Sequence, residues 1–175
     1  IKMTLYRTSG DSPVSDALIR AARNGKQVTV LVELKARFDE ARNIGRANEL
    51  EQAGAIVIYG LADLKVHSKA MMIVRREPEG IRRYLHLGTG NYNEKTARLY
   101  VDMGLLTSNE ETAYELSQFF NSITGHSQVP TLTHLAMAPT ALKRRLLQLI
   151  AREVSRSSAH EPGLIMAKMN SLADP

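Results

Sequence analysis

The order of apolar and polar positions predicts an alternating α/β fold in the first third of the chain. Short apolar runs at MTLYR (residues 3–7), QVTVLVEL (27–34) and AIVIYG (55–60) have the length and composition of buried strands. Two helical patterns lie between them, the first with Ser12 at its N-cap and Pro13 at its first position. Because crossover connections are right-handed, this βαβαβ order predicts three parallel strands.

After this start the pattern changes to strands that follow one another directly. LKVHSKAMMIV (residues 64–74) and IRRYLHLG (81–88) flank a turn, and VDMGLL (101–106) is a shorter strand. A helix over about 109–123 follows. The predicted fold is therefore α/β, a mixed sheet with a βαβαβ start followed by sequential strands and flanked by helices.

The end of the chain has a different organisation. HSQVPTLT (residues 126–133) reads as a linker, and it precedes an amphipathic helix within 138–157 and a strand at LIMAKM (164–169). One helix and one strand in about 45 residues are too few to close a core of their own. We expect one domain at 1–128 and the truncated start of a second domain at 129–175.

Composition narrows the class of protein. The chain of 175 residues has no apolar run near the roughly 20 residues of a membrane span, and it has no cysteine. These features are compatible with the cytoplasm and leave membrane association open. A net charge of +5 suggests an anionic partner. With 5% aromatic residues and no Trp, stacking platforms for nucleic acid are poorly supplied, so we expect a phosphate compound rather than nucleic acid.

The run LKVHSKAMMIV contains the first candidate chemistry. If it is a strand, Lys65, His67 and Lys69 project from one face, which makes that face cationic with one titratable nucleophile. A structural histidine with lysines that protect a sheet edge is the alternative.

Arginines follow two of the predicted parallel strands. Arg7 comes after the first strand, and Glu33, Lys35 and Arg37 alternate after the second. Ligands of open α/β sheets collect beyond these strand ends, and a guanidinium group matches phosphate oxygens bidentately. Ordinary surface arginines remain the alternative.

The stretch GTGNYN (residues 88–93) contains two glycines and two asparagines. It is not a P-loop, because Glu94 stands where a glycine should precede Lys95. The glycines allow close backbone approach, and Asn91 and Asn93 supply neutral donors to an oxyanion. An asparagine-rich turn explains the stretch equally well.

His-x-Lys followed by G-x-G-N-x-N resembles the catalytic half-motif of the phospholipase D superfamily. In that superfamily the histidine attacks phosphorus while the lysine and asparagine hold phosphoryl oxygens. The resemblance implies these roles for His67, Lys69, Asn91 and, by the same motif logic, Asn93. The aspartate that usually stands five residues after the lysine is Val74 here, which argues against a generic phosphodiesterase.

Longer strings point to one branch. TLYRTSGDSP, VELKARFDEARNI, LKVHSKAMMIV and GTGNYNEKTARLY, in this order, resemble the first catalytic C-terminal domain of the polyphosphate kinase family. APTALKRRLLQLIAREV and IMAKMNSLADP resemble the opening of its second catalytic domain. One departure is Arg46, where family members often carry tryptophan, and we attribute it to surface or packing variation that leaves the chemistry unchanged.

The resemblance implies a transfer of the ATP terminal phosphate to inorganic polyphosphate through a phosphohistidine at His67. It makes Arg7 and Arg37 the magnesium and phosphate site, and Tyr100 a nucleotide contact. Because arginine has no lone pair for a cation, Mg²⁺ would associate with these residues through phosphate or water. The attack requires an unprotonated imidazole. Neighbouring lysines favour this form, because their positive charge disfavours a second cation beside them.

Two further expectations follow from the resemblance. A superfamily site uses a second histidine. None of the other histidines, His86, His126, His134 and His160, is followed by the expected lysine or lies in a strand comparable to that of His67, so the isolated chain should have little turnover. The full-length protein is expected to be a homo-oligomer. A phospholipase D-like phosphodiesterase or nuclease half-site, or a non-catalytic polyphosphate-binding module, are the competing functions.

Overall fold

The structure is a computed structural model that describes residues 1–6, 12–33, 40–60, 64–125, 128 and 130–169. The chain divides into two compact units, Ile1–Thr131 and Leu132–Pro175. The assignment of residues 1–128 to one catalytic domain and 129–175 to the start of another stays a prediction.

The described part of the first unit contains one mixed sheet. Its strands are β1 (Lys2–Leu5), β2 (Thr29–Val32), β3 (Ile56–Tyr59), β4 (Lys69–Glu77), β5 (Gly80–Gly88) and β6 (Gly104–Thr107). They lie in the order β3-β2-β1-β4-β5-β6. β1, β2 and β3 are parallel, whereas β4, β5 and β6 each pair antiparallel with the preceding neighbour. The prediction of a parallel start followed by sequential strands is confirmed.

The helices are α1 (Pro13–Arg23), α2 (Glu40–Gln52), α3 (Glu94–Ala97), α4 (Glu110–Ile123) and α5 (Leu142–Arg156). α1 begins as predicted, because the Ser12 hydroxyl accepts a hydrogen bond from the Ser15 amide at 3.3 Å. At the start of α4 the Asn109 side chain accepts from the Thr112 amide at 2.9 Å. Local capping chemistry therefore sets the starts of both helices.

Helices cover both faces of the sheet. The main core lies between the sheet and helices α1 and α2, and its buried members are Met3, Leu5, Leu18, Ile19, Val28, Val30, Val32, Ala47, Leu50 and Ala55. On the opposite face, α4 packs on the hairpin of β4 and β5, where the Ser117 hydroxyl contacts the Met72 sulfur at 3.3 Å. Phe120, on α4, is almost fully buried. Burial on both faces fixes the strand register, since a slip of one residue would exchange the faces.

The second unit contains α5, which confirms the predicted amphipathic helix. None of its residues is buried within the unit, and its apolar side chains are exposed. The predicted strand at residues 164–169 is wrong. The amides of Gly163 and Leu164 instead donate to Ser157 and Glu153 at 2.9 and 3.0 Å, so the chain folds back on the end of α5 without a ladder partner among the described residues.

Among the described residues, no helix has the length and apolar character needed to cross a membrane.

Candidate active site

Strand register brings the candidate motifs to one edge of the sheet. Lys69, the first residue of β4, pairs with Gly88, the last residue of β5, and Gly88 pairs in turn with Gly104 at the start of β6. Because β1 is antiparallel to β4, Leu5 at the end of β1 lies at the same edge. We call this the His67 edge, since the residues just before Lys69 and just after Gly88 leave the sheet there.

The segment 65–68 at this edge is not a strand, which corrects the expectation that a strand runs from 64 to 74. β4 begins only at Lys69. The segment is held instead by side chains from the parallel strands. The buried Glu33 carboxylate accepts from the Val66 amide at 2.9 Å, and the Thr4 hydroxyl donates to the Ser68 carbonyl at 2.8 Å. Its geometry is therefore fixed without a ladder.

The exposed His67 ring packs against Tyr6. The two rings meet edge to face, with centroids 4.7 Å apart and an interplanar angle of 83°. The ammonium groups of Lys65 and Lys69 lie 5.1 and 5.3 Å from the Tyr6 ring centroid, within cation–π range. The side chains of Lys65, His67 and Lys69, which the sequence predicted on one face of a strand, therefore all lie around the Tyr6 ring, although segment 65–68 is irregular.

Lys69 contacts His67 twice. Its ammonium nitrogen lies 3.0 Å from Nε2 of His67 and 2.6 Å from the carbonyl oxygen of the same residue. An ammonium group has only donors, so Nε2 is the acceptor, and this contact fits the neutral tautomer with its proton on Nδ1. Lys69 itself is buried, with 7% of its surface exposed, so its charge acts in a poorly solvated place.

The loop 89–93 follows β5 at the His67 edge. Thr89 anchors its start, donating to the Asp102 carboxylate at 3.0 Å while its hydroxyl accepts from the Met103 amide at 3.0 Å. A Cβ at Gly90 would overlap the Asp102 side chain, so any larger residue there would displace the carboxylate that holds Thr89. The oxygen of the Asn91 amide is buried and has no hydrogen-bond partner among the described residues. A buried side-chain oxygen without a partner indicates that a hydrogen-bond donor is missing at this position, or that the side-chain amide is rotated by about 180° and places its NH₂ group there.

Asn93 has a structural task in the described residues. Its side-chain oxygen caps α3, accepting from the amides of Lys95 and Thr96 at 3.1 Å each. Only its Nδ2 group has no hydrogen bond to a described residue. Asn93 therefore has the structural role that the asparagine-rich turn predicted. Asn91, whose side-chain oxygen is buried without a partner among the described residues, stays the candidate for the phosphate-binding hypothesis.

Of the remaining predicted residues, Tyr100 lies within the described ranges. Tyr100 is half exposed in the turn that follows α3, two residues before Asp102. Arg7 and Arg37 lie outside the described residues. Sequence reasoning missed the supporting roles of Tyr6, Thr4 and Glu33. The position of Tyr6 and Glu33 at strand ends was a signal, but their contacts join residues more than 30 positions apart.

The described residues do not offer a cation site. No group of three or more His, Cys, Asp or Glu side chains in the described ranges could hold a metal ion. Among the described residues, the ammonium group of Lys69 contacts His67 and that of Lys65 lies over the Tyr6 ring, while the buried Glu33 carboxylate accepts from the Val66 amide. Magnesium is therefore not supported by these residues, and its association with Arg7 and Arg37 stays a prediction.

Known protein families were compared with this chain. The family model described as polyphosphate kinase C-terminal domain 1 matches residues 1–129. The chain belongs to the polyphosphate kinase family. The resemblance of the four motif strings is confirmed.

Several relatives named polyphosphate kinase extend the match to the whole chain. Those of Halalkalibacterium halodurans and Synechocystis are each 55% identical over 174 residues, 99% of this chain. The relative from Rhodopirellula baltica is 56% identical over the same share. The chain spans 25%, 24% and 20% of these three proteins, so it corresponds to about a quarter of a family member.

A crystal structure of polyphosphate kinase from Porphyromonas gingivalis has a similar fold. It matches 88% of this chain with a TM-score of 0.75 and 35% sequence identity, and the match covers 26% of that protein. The likeness confirms the predicted phospholipase D-like mixed sheet flanked by helices.

Proposed function

We propose that this chain carries the phosphoryl-accepting half of a polyphosphate kinase active site, with His67 as the nucleophile. The observation that carries the proposal is the contact between Nε2 of His67 and the buried Lys69 ammonium group. The contact fits a neutral, accessible imidazole beside a buried cation. Both lie at the His67 edge, where the loop 89–93 leaves β5. Family membership supplies the substrate class.

The proposed reaction has two steps. The imidazole nitrogen of His67 attacks the terminal phosphorus of ATP, forming a P–N bond while the P–O bond to ADP breaks and ADP leaves with the electron pair. A terminal oxygen of polyphosphate then attacks the same phosphorus, and the P–N bond breaks with its electron pair returning to the imidazole. The nucleophile must also be a good leaving group, and imidazole meets both demands near neutral pH.

Lys69 would change partners during this reaction. Its ammonium group donates to the resting imidazole, and an arriving phosphoryl group offers stronger, charged acceptors in the same place. The cation then neutralises charge on the transferring group, which is the main task in phosphoryl transfer. We propose that Asn91 shares this task and that Tyr100 contacts the nucleotide. Magnesium belongs to the proposal as a counter-ion that ATP brings, with Arg7 and Arg37 nearby.

The second half of the site is proposed to come from residues of a full-length protein beyond this chain. In the described residues, the ring of His86 is hydrogen-bonded to Tyr92 rather than directed at His67. His134 and His160 belong to the second unit. We therefore expect the isolated 175 residues to bind phosphate compounds with little kinase turnover. Separately, we propose that the full-length protein acts as a homo-oligomer.

Labelling with γ-labelled ATP tests the proposal. The full-length protein should acquire acid-labile, alkali-stable label, and the His67→Gln variant should acquire none. A His160→Gln variant is the matched control and should label normally. Equal labelling of the His67→Gln variant would remove the proposed nucleophile. Release of alcohol or nucleotide from a diester without polyphosphate synthesis would instead favour a phosphodiesterase, and polyphosphate binding that survives His67→Ala without any label would favour a binding module.

A further inference from the structure

A second hydrogen-bonded pair joins strand β5 to the loop 89–93. Nδ1 of His86, on β5, lies 2.7 Å from the Tyr92 hydroxyl, with ring centroids 5.4 Å apart. Both side chains are partly buried, and Tyr92 packs against the main core. Burial raises the pKa of Tyr92, so the phenol keeps its proton as a hydrogen-bond donor.

The other side of the His86 ring rests on backbone. A Cβ added at Gly104 would lie 2.8 Å from Nε2 of His86, and one at Gly88 would lie 3.2 Å from Cε1 of the ring. Gly88 and Gly104 are register partners in neighbouring strands, so the imidazole sits over a gap in the side chains that these glycines leave. The ring is thus confined by the sheet on one side and by Tyr92 on the other.

This confinement has a consequence for the loop. Thr89 fixes one end of the loop to Asp102 and Met103, and Tyr92 fixes the other end to His86. The two anchors straddle Asn91, whose buried amide oxygen has no partner among the described residues. An unsatisfied buried amide is costly, so it persists only where its surroundings hold it in place.

We propose that His86 is a positioning residue, which acts through its hydrogen bond to Tyr92 to hold the Asn91 amide at the His67 edge for a phosphoryl oxygen. This inference rests on the proposed function. His86 itself touches no substrate, because one ring nitrogen is committed to Tyr92 and the other faces the backbone of Gly104. Loss of the pair would leave the fold in place and allow Asn91 to move.

Four single variants of the full-length protein, together with the double variant Tyr92→Phe/His86→Leu, test the pair. Tyr92→Phe and His86→Leu each remove the hydrogen bond, and His86→Asn restores an acceptor near the position of Nδ1. Tyr84→Phe is the matched control, since it removes a tyrosine hydroxyl that bonds Glu77 at 3.1 Å near the far end of the same strand. The readouts are the single-turnover rate of His67 labelling, the ATP concentration at half saturation, and binding of inorganic tripolyphosphate by calorimetry.

Tyr92→Phe and His86→Leu should each slow labelling at saturating ATP about tenfold, the effect of a lost transition-state hydrogen bond, with half saturation changed less than about threefold. Both should weaken tripolyphosphate binding, because phosphoryl contacts alone hold that ligand. His86→Asn should recover most of the rate, Tyr84→Phe should match the unaltered protein, and the double variant should be no slower than His86→Leu alone.

Two outcomes would overturn the inference. One is normal labelling and normal tripolyphosphate binding in a folded Tyr92→Phe protein. The other is rate losses that multiply in the double variant, since independent effects would show that the two residues do not act through one contact. If the unaltered protein never labels His67 but Tyr92→Phe still weakens tripolyphosphate binding, the proposed function fails while the positioning role stands.

Discussion

The Lys69 ammonium group donates to both the ring and the main chain of His67, at 3.0 Å to Nε2 and 2.6 Å to the carbonyl oxygen. One cation therefore fixes the orientation of the imidazole relative to its own backbone. Lys69 can do this because it begins β4, where the ladder holds its backbone, while His67 lies in the irregular segment just before. The proposed nucleophile, His67, is exposed, and the Lys69 side chain that orients it is buried.

Replacement of Lys69 by methionine should slow phosphoryl transfer without unfolding the protein. Methionine fills the buried volume and removes the charge that is proposed to stabilise the phosphoryl oxygens, so we expect a loss of about 100-fold or more in the single-turnover labelling rate. The thermal midpoint should stay near that of the unaltered protein, because the flexible methionine side chain packs in the same buried space.

Lys65→Met is the matched control for that experiment. Lys65 also lies over the Tyr6 ring, at 5.1 Å, but it is exposed, and its charge is screened by solvent. Its loss should change the rate only a few-fold. Equal effects of the two substitutions would show that total positive charge matters rather than the contact with His67.

Glu33→Ala should destabilise the protein and loosen segment 65–68, which contains His67. It removes the acceptor of the buried Val66 amide, and an unsatisfied buried donor costs about 1–3 kcal/mol of unfolding free energy. Labelling should slow as well, because segment 65–68 has no ladder to hold it. Glu33→Gln keeps an oxygen acceptor, so its unfolding free energy in urea titrations should lie between those of the unaltered protein and Glu33→Ala. Unchanged stability of Glu33→Ala would contradict the role assigned to this hydrogen bond.

The sequence predicted the elements of the sheet well because their signals are local. Ser12 and Pro13 start α1, and the β-branched run around residues 27–34 became β2 within the buried core. Segment 65–68 was misjudged because its apolar alternation continues that of β4. What removes it from the ladder are the contacts to Glu33 and Thr4, which join distant parts of the chain.

The candidate site divides in the same way. The motif spacing identified His67 and Lys69, and the fold brings them into contact. The same spacing treated Asn91 and Asn93 alike, yet Asn93 caps a helix whereas the Asn91 oxygen is buried without a partner among the described residues. The position of Tyr6 at a strand end did not reveal its partner, since its role depends on the fold that places the His67 ring against it.

Packing of α4 on the sheet should account for much of the stability of the first unit. Phe120 is nearly fully buried on this helix, whereas Tyr114 on the same helix is mostly exposed. Phe120→Ala should lower the unfolding free energy by about 3–5 kcal/mol through lost burial and the cavity left behind. Tyr114→Ala should cost far less when both are compared by urea titration. Similar losses would mean that α4 does not pack as described.

Tyr92 should make the stability of the chain sensitive to alkaline pH. Burial raises its pKa above the usual value near 10, whereas the unfolded chain ionises normally. Above about pH 10 the unfolded state has released a proton that the folded state keeps, so the free energy of unfolding falls as pH rises; below that pH this contribution is fully present. Urea midpoints measured from about pH 9 to about pH 11 should therefore fall more steeply for the unaltered chain than for Tyr92→Phe, in which every other tyrosine remains. Parallel curves for the two proteins would show that the Tyr92 phenol is solvated, and would remove the buried donor on which the contact with His86 depends.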